Sequence, residues 1–206
     1  MSPRPRKVSD DDIFAATYRA MSRLGPGELT LADIAAEAGV TAGAISQRFG
    51  SKRALLLALS EGAAAYAGDH FQSLRAAHRS PLAAVRAYAA GMAHLAESPA
   101  ALARNLAYLQ IDLSDAEFRT HLAAQARATR SGLEDLLESA KAAGELRPDT
   151  NFKSLAATVE VVLHGSLLTW ALYDEGDASH WILRQVNAVL SPHLAAGPGR
   201  KRARRR

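Results

Sequence analysis

The sequence predicts an all-α protein, and three observations carry that expectation. Hydrophobic residues make up 48% of the 206 residues and aromatics only 6%. Ala and Leu must therefore supply most of the burial, which suits packed helices. Helix starts recur along the chain as Ser or Thr followed by Asp or Glu three residues on, or by Pro directly. No segment alternates with period two over a useful length, and no internal repeat is evident.

The elements follow in order. Ser9 with Asp12 forms a capping-box signature, and three aspartates suit a helix N-terminus. This first helix runs to about Leu24 and is stopped by Gly25-Pro26-Gly27. Thr30 with Asp33 caps a second helix over 31–38, whose apolar face is Leu31, Ile34, Ala35 and Ala38. Gly39 ends it, Val40 plugs the turn, and Thr41 caps a third helix over 42–48. That helix turns Ile45 and Phe49 inward and Ala42, Gly43, Ser46 and Gln47 outward. Ser51 caps a long fourth helix with no strong breaker before Ser80-Pro81. Ser80-Pro81 and Ser98-Pro99 open helices over 81–97 and 99–112. Ser114 with Glu117 opens a longer helix ending at Ala143-Gly144. Two last helices are expected over 151–174 and 179–191.

Helix, glycine turn and helix at the spacing of residues 30–49 is the helix-turn-helix arrangement, whose second helix enters the major groove of DNA. Gln47 is the best base reader, because an amide bonds bidentately to adenine. Ser46 is a short donor or acceptor, Ala42 and Ala44 offer methyl contact, and Gly43 permits close backbone approach. Thr41 and Thr30 are candidates for phosphate contact, as are the cations Arg48 and Lys52.

This stretch resembles the TetR family of bacterial transcriptional regulators, without insertion from about Asp12 to Leu57. Ile13, Phe14, Ala16, Met21 and Gly25 fit the first helix of that family. Thr30, Ile34, Ala35, Gly39, Val40, Thr41, Gly43, Ile45 and Phe49 fit its middle, and Ser51, Lys52, Ala54 and Leu55 its fourth-helix entry. Three positions depart from the pattern. Ser46 stands where the family usually has Tyr, Arg48 where it often has His, and Ala32 where it often has a basic residue.

The resemblance implies an N-terminal three-helix DNA-binding head at 8–66, with the helix-turn-helix at about 30–49. It also implies an effector-binding and dimerisation domain at 67–195, before a basic tail at 196–206. Such proteins dimerise through their last two long helices. The interface expected here is Phe152, Leu155, Val159, Val162, Leu163, Ser166, Leu167 and Trp170, with Trp181, Val186 and Val189 from the final helix. An effector among the middle helices would meet Tyr66, Met92, Asn105, Tyr108, Phe118, His121, His164 and Trp170. The implied function is a ligand-responsive cytoplasmic repressor, a homodimer on a near-palindromic DNA operator, released by a small molecule. A helical protein that binds DNA nonspecifically through basic tails is the alternative.

Charge is unevenly placed. Of 25 basic residues, Arg4, Arg6 and Lys7 lie in the first arm, and six more crowd residues 200–206. Without those nine, 16 basic residues face 21 acidic ones. The body is acidic and the tails are basic, a pattern that adds sequence-independent attraction to nucleic acid. There is no Cys, which excludes disulfides and thiolate chemistry. No HxxxH or HExxH pair supports a metal, no phosphate or dinucleotide fingerprint calls for a cofactor, and no constellation calls for an enzyme. No signal peptide and no membrane span is expected.

Overall fold

The structure is a computed structural model that describes residues 8–195. The basic residues at 4–7 and 200–206 lie outside it. Helix α1 (Asp10–Arg23), α2 (Leu31–Ala38), α3 (Ala42–Phe49) and α4 (Lys52–Ala77) come first. Then come α5 (Pro81–Gly91), a 3-10 turn (Met92–Ala96), α6 (Pro99–Ser114) and α7 (Ala116–Ala142). The series ends with α8 (Phe152–Tyr173), α9 (Ala178–Leu190) and a short 3-10 turn. The pairing of Leu146 with Leu194 is the one bridge among the described residues.

Local chemistry explains most boundaries. Ser9 and Thr30 each accept from the backbone N–H three residues on, and the carboxylates of Asp12 and Asp33 bond back to the capping residue. Ser80 and Ser98 cap α5 and α6, with Pro at the first helical position. There the missing N–H costs nothing, because no intrahelical partner exists for it. The helix expected over 81–97 instead leaves α geometry at Gly91 and continues as a 3-10 turn. Glycine weakens the helix there, and Ser98-Pro99 forces the chain out soon after.

The chain divides into two compact units: Met1–Ala65 with Ser98–Gln125, and Tyr66–Glu97 with Ala126–Arg206. The first unit therefore takes in α6, which the sequence assigned to the second domain. The reason is Tyr108. Its ring is buried in one cluster with Ile13, Ala20, Leu29, Ile34, Ala35, Ile45 and Leu55. Its hydroxyl donates to the Leu24 carbonyl oxygen at 2.9 Å, and the Arg104 Nε donates to the Ser22 carbonyl. Burial pushes the Tyr108 pKa up to about 12, so the phenol stays a donor.

The second unit is built on α5, α8 and α9, with α9 packed on both of the others. Val159, Leu163 and Leu167 of α8 and Ile182, Val186 and Leu190 of α9 are all buried. By length and composition α8 could cross a membrane, with mean hydropathy 1.5. Its buried side instead packs on α9. Phe71 of α4 lies against Gly132 of α7, where a Cβ would stand 2.3–2.8 Å from the ring atoms.

That crossing predicts a contrast between two glycines. Gly132→Ala should destabilise the protein by about 1–3 kcal/mol through overpacking. Gly62→Ala, where a Cβ meets nothing within 4 Å, should stabilise it by about 0.5–1 kcal/mol, as expected inside a helix. Thermal and urea melts of the two variants give opposite shifts.

Candidate nucleic-acid interface

The surface that the sequence marks for DNA is built by local bonds. Gly39 ends α2 in the left-handed region, at φ 69°, which a side chain would resist. Its turn is held by the Val40 N–H, which donates to the Ala35 carbonyl at 3.0 Å. The Thr41 hydroxyl then accepts from the Ala44 N–H at 3.1 Å and starts α3. Ile45 is fully buried, and Phe49 meets Phe14 of α1 at 5.9 Å between ring centroids. These two anchors fix the roll of α3. Ala42, Gly43, Ala44, Ser46, Gln47 and Arg48 are consequently exposed.

Two details of that face bear on groove entry. A Cβ at Gly43 would have only the Thr41 Oγ1 nearby, at 3.8 Å. The fold itself does not demand glycine there, so the clearance lies on the outside. The Gln47 amide has no hydrogen-bond partner within the described residues and is available, whereas the Ser46 hydroxyl reaches back weakly to the Gly50 carbonyl at 3.4 Å. Thr30 is exposed, with its hydroxyl donating to Asp33.

The cations depart from expectation. Lys52 was expected to face phosphate, but its ammonium donates to the carbonyls of Pro26 at 3.0 Å and Leu29 at 2.7 Å. It clips the loop between α1 and α2. Arg48 pairs with Asp10 at 2.5 Å and donates to the Val8 carbonyl at 2.8 Å. Arg19 and Arg23 both pair with Glu37. Arg53 bridges Asp115 and Glu117 and lies over the Phe118 ring. Arg119 donates to the Leu113 carbonyl. Among the described residues of this unit, every Arg and Lys side chain has a partner within the chain, and apart from those of Lys52 these bonds are exposed. Seven basic side chains there face ten acidic ones. Composition could reveal the imbalance, but no local signal could reveal the ion pairs, which join residues 14 to 64 apart.

The partners leave their mark on the carboxylates. The Arg19 and Arg23 guanidinium groups hold Glu37 below its ordinary range. Arg53 does the same for Asp115, and the Thr30 hydroxyl and N–H for Asp33.

The residues proposed for an effector fall in both units. Tyr108 and Phe118 are buried in the first, and Asn105 and His121 are half-buried there. Tyr108 is thus a core residue of the head, with its hydroxyl engaged on Leu24. In the second unit Trp170 borders a cavity of about 570 Å³ together with His94, Glu97 and Ser179. Its indole N–H donates to the Gly176 carbonyl. Met92, on the same 3-10 turn as His94, does not line it. Tyr66 is 70% exposed and stacks on His70, while His164 bonds the Glu160 carbonyl on the open side of α8.

The interface stripe needs a correction. Leu155, Val159, Leu163, Ser166, Leu167, Trp170 and Val186 are buried within this single chain. Phe152, Val162, Trp181 and Val189 are half-buried. The buried stripe serves the chain's own core. The open apolar side of α8 is Val161, Gly165, Leu168 and Leu172, with Val161 69%, Leu168 48% and Leu172 72% exposed. Their spacing of four, three and four residues was the signal that could have found them.

Comparison with known proteins adds the family. The profile described as "Bacterial regulatory proteins, tetR family" matches residues 13–59. The profile described as "Tetracyclin repressor-like, C-terminal domain" matches residues 107–186. Together they cover more than half of the chain. The TetR transcriptional regulator SCO0520 from Streptomyces coelicolor is 26% identical, with a TM-score of 0.68 over 91% of this chain and 99% of that one. SmeT, the repressor of the Stenotrophomonas maltophilia multidrug efflux pump SmeDEF, is 22% identical. It has a TM-score of 0.63 over 94% and 96% of the two chains, and a second structure of it contains triclosan. FadR from Bacillus subtilis, in complex with stearoyl-CoA, shares the fold at 16% identity, with a TM-score of 0.64 over 89% and 98%. A search of curated proteins gave no match.

The depressed carboxylates set an acid limit for the first unit. A carboxylate whose pKa is lower folded than unfolded contributes stability that is complete above its unfolded value and lost as pH falls through the folded one. Stability should therefore hold near neutrality and decline below about pH 4. Glu37→Gln should lower stability at pH 7 and make the decline shallower, as read by denaturant melts between pH 7 and pH 2.

Proposed function

Because the chain belongs to the TetR family of transcriptional regulators, a family of DNA-binding proteins rather than enzymes, we propose that it is a ligand-responsive repressor acting as a homodimer. The observation that carries this reading is the capped, rigidly rolled α3, which presents Gln47, Ser46 and the small residues Ala42, Gly43 and Ala44 outward. A helix so held can lay its first turns in the major groove. Gln47 would read a base edge, Ser46 would accept or donate at a second, and Gly43 would let the backbone close on the DNA. Thr30 and Thr41 stand at helix N-termini, where exposed N–H groups suit phosphate.

Pairing of two chains follows from the open side of α8. Val161, Leu168 and Leu172 expose a continuous apolar stripe, and Gly165 between them admits a close neighbour. A second copy presenting the same stripe covers it with two-fold symmetry. Two heads related by that axis would read a near-palindromic site, with half-sites about one helical turn or a multiple apart. The effector reading is supported by the triclosan and stearoyl-CoA complexes of SmeT and FadR. In this chain the cavity beside Trp170, lined by small residues with His94, Glu97, Asp177 and Ser179, is the candidate position for an effector.

Selection of bound sequences from random DNA tests the reading. A specific site should emerge and exceed random DNA by about 10³ or more; equal binding to all sequences would favour nonspecific attraction through the basic ends. Gln47→Ala should weaken the selected site by about 1–3 kcal/mol and relax one base position.

Assembly gives a separate readout. Leu168→Glu and Leu172→Glu should yield folded monomers in light scattering, since each places a charge on an open stripe. Leu163→Glu and Leu167→Glu should unfold the chain instead, because they bury an unpaired charge in its own core.

A further inference from the structure

We propose that Asp10 is a positioning residue that restrains Arg48 in the free protein, and that a DNA phosphate replaces it as the partner of Arg48 when α3 enters the groove. Asp10 is thus a brake on DNA binding. The proposal rests on the DNA-binding reading above and adds to it the group that competes with DNA for the one cation of α3.

Placement singles out Arg48. It is the only Arg or Lys on α3, it is exposed, and it adjoins Gln47. Ala44 and Arg48, four residues apart, share one line of the helix surface, and both are open to solvent. A long side chain on the flank of a helix in the major groove reaches toward the phosphates that border the groove. Lys52 is not a substitute, because its ammonium holds two carbonyls through part-buried bonds.

The present partners of Arg48 are exchangeable. Its Nε meets the Asp10 carboxylate at 2.5 Å, and its Nη1 donates to the Val8 carbonyl at 2.8 Å. Both side chains of the ion pair reach solvent, Arg48 at 36% and Asp10 at 53%. An ion pair so exposed contributes little, because water screens it. A phosphate offers the same fork two anionic oxygens and a bidentate, charge-assisted bond. Glu37, which holds Arg19 and Arg23, is only 19% exposed and gives up its partners less readily. Asp10 also stands with Asp11 and Asp12 in the first turn of α1. While Arg48 is paired there, its charge is spent on the chain's own carboxylate and is lost to DNA.

A double-mutant cycle separates this role from simple repulsion. The affinity of the full chain for the site selected from random DNA is measured across a range of salt concentrations. Arg48→Ala should weaken binding and lower the salt slope by about 0.9, the loss of one phosphate contact. Asp10→Asn should tighten binding about twofold to fivefold without changing the selected sequence, and Asp10→Glu should bind as the wild type does. In the Arg48→Ala background the gain from Asp10→Asn should fall by about half or more, since the two residues act as a pair. A gain that persists in full there would mean that Asp10 merely repels DNA, and would overturn the proposal. So would a wild-type slope in Arg48→Ala, or no tightening in Asp10→Asn.

A second measurement needs no DNA. The Arg48 Nε–H resonance is identified in nuclear magnetic resonance spectra by its loss in Arg48→Ala. Its exchange with water should be slow in the wild type and in Asp10→Glu, and faster in Asp10→Asn, in samples whose circular dichroism confirms folding. Equal exchange in all three would sink the restraint by Asp10. If the wild-type chain selects no DNA site, the functional reading fails, and the exchange measurement still decides whether Asp10 holds Arg48.

Discussion

The burial of Tyr108 governs how the first unit is put together. A short three-helix head buries little apolar surface, and small domains are correspondingly marginal. Here α6 contributes an aromatic ring to the same core that holds Ile34, Ile45 and Leu55. The hydroxyl caps the Leu24 carbonyl at the end of α1, one of the acceptors a helix terminus leaves open. Arg53 adds a second tie, from the first turn of α4 to the corner between α6 and α7. The reading helix is thus held by a unit of six helical segments instead of three. A ligand that shifts α6 would act on the head's own core, and by linkage DNA would act back on that ligand with equal coupling.

What the sequence revealed was local, and what it concealed was long-range. Ser9 with Asp12 and Thr30 with Asp33 announced their helices because a capping box is complete within four residues. Gly39, Val40 and Thr41 fixed the turn into α3 in the same way, and Ile45 and Phe49 gave its roll. The stripe on α8 was misassigned because that helix is apolar on most sides. Periodicity shows that Leu163 and Leu167 share a face, but it does not say whether that face meets α9 or a second chain. Lys52 and Arg48 looked like free cations because their partners, Leu29 and Val8, are 23 and 40 residues away. Tyr108 resembled a pocket residue for a similar reason: a buried tyrosine at helical spacing carries no mark of the core it joins.

Charge and recognition are consequently separated along the chain. The groups that α3 offers outward are an amide, a hydroxyl and small apolar residues, and the cations nearby serve to hold loops and helix ends. In the proposed mode of binding, uncharged groups on α3 discriminate between base pairs. Salt would then alter the strength of binding more than its selectivity, since base-edge contacts release few counterions.

The crossing of α4 and α7 links two positions that are far apart in sequence. With Gly132 against the face of Phe71, the space for a side chain on one helix is filled from the other. Neither residue is free to change alone: a methyl at 132 needs a smaller or differently turned group at 71, and a smaller group at 71 leaves a void that a methyl at 132 would fill. Divergent relatives should therefore exchange volume across this point, glycine accompanying an aromatic ring and alanine accompanying an aliphatic side chain. The pair would surface as covarying columns in a family alignment, 61 positions apart.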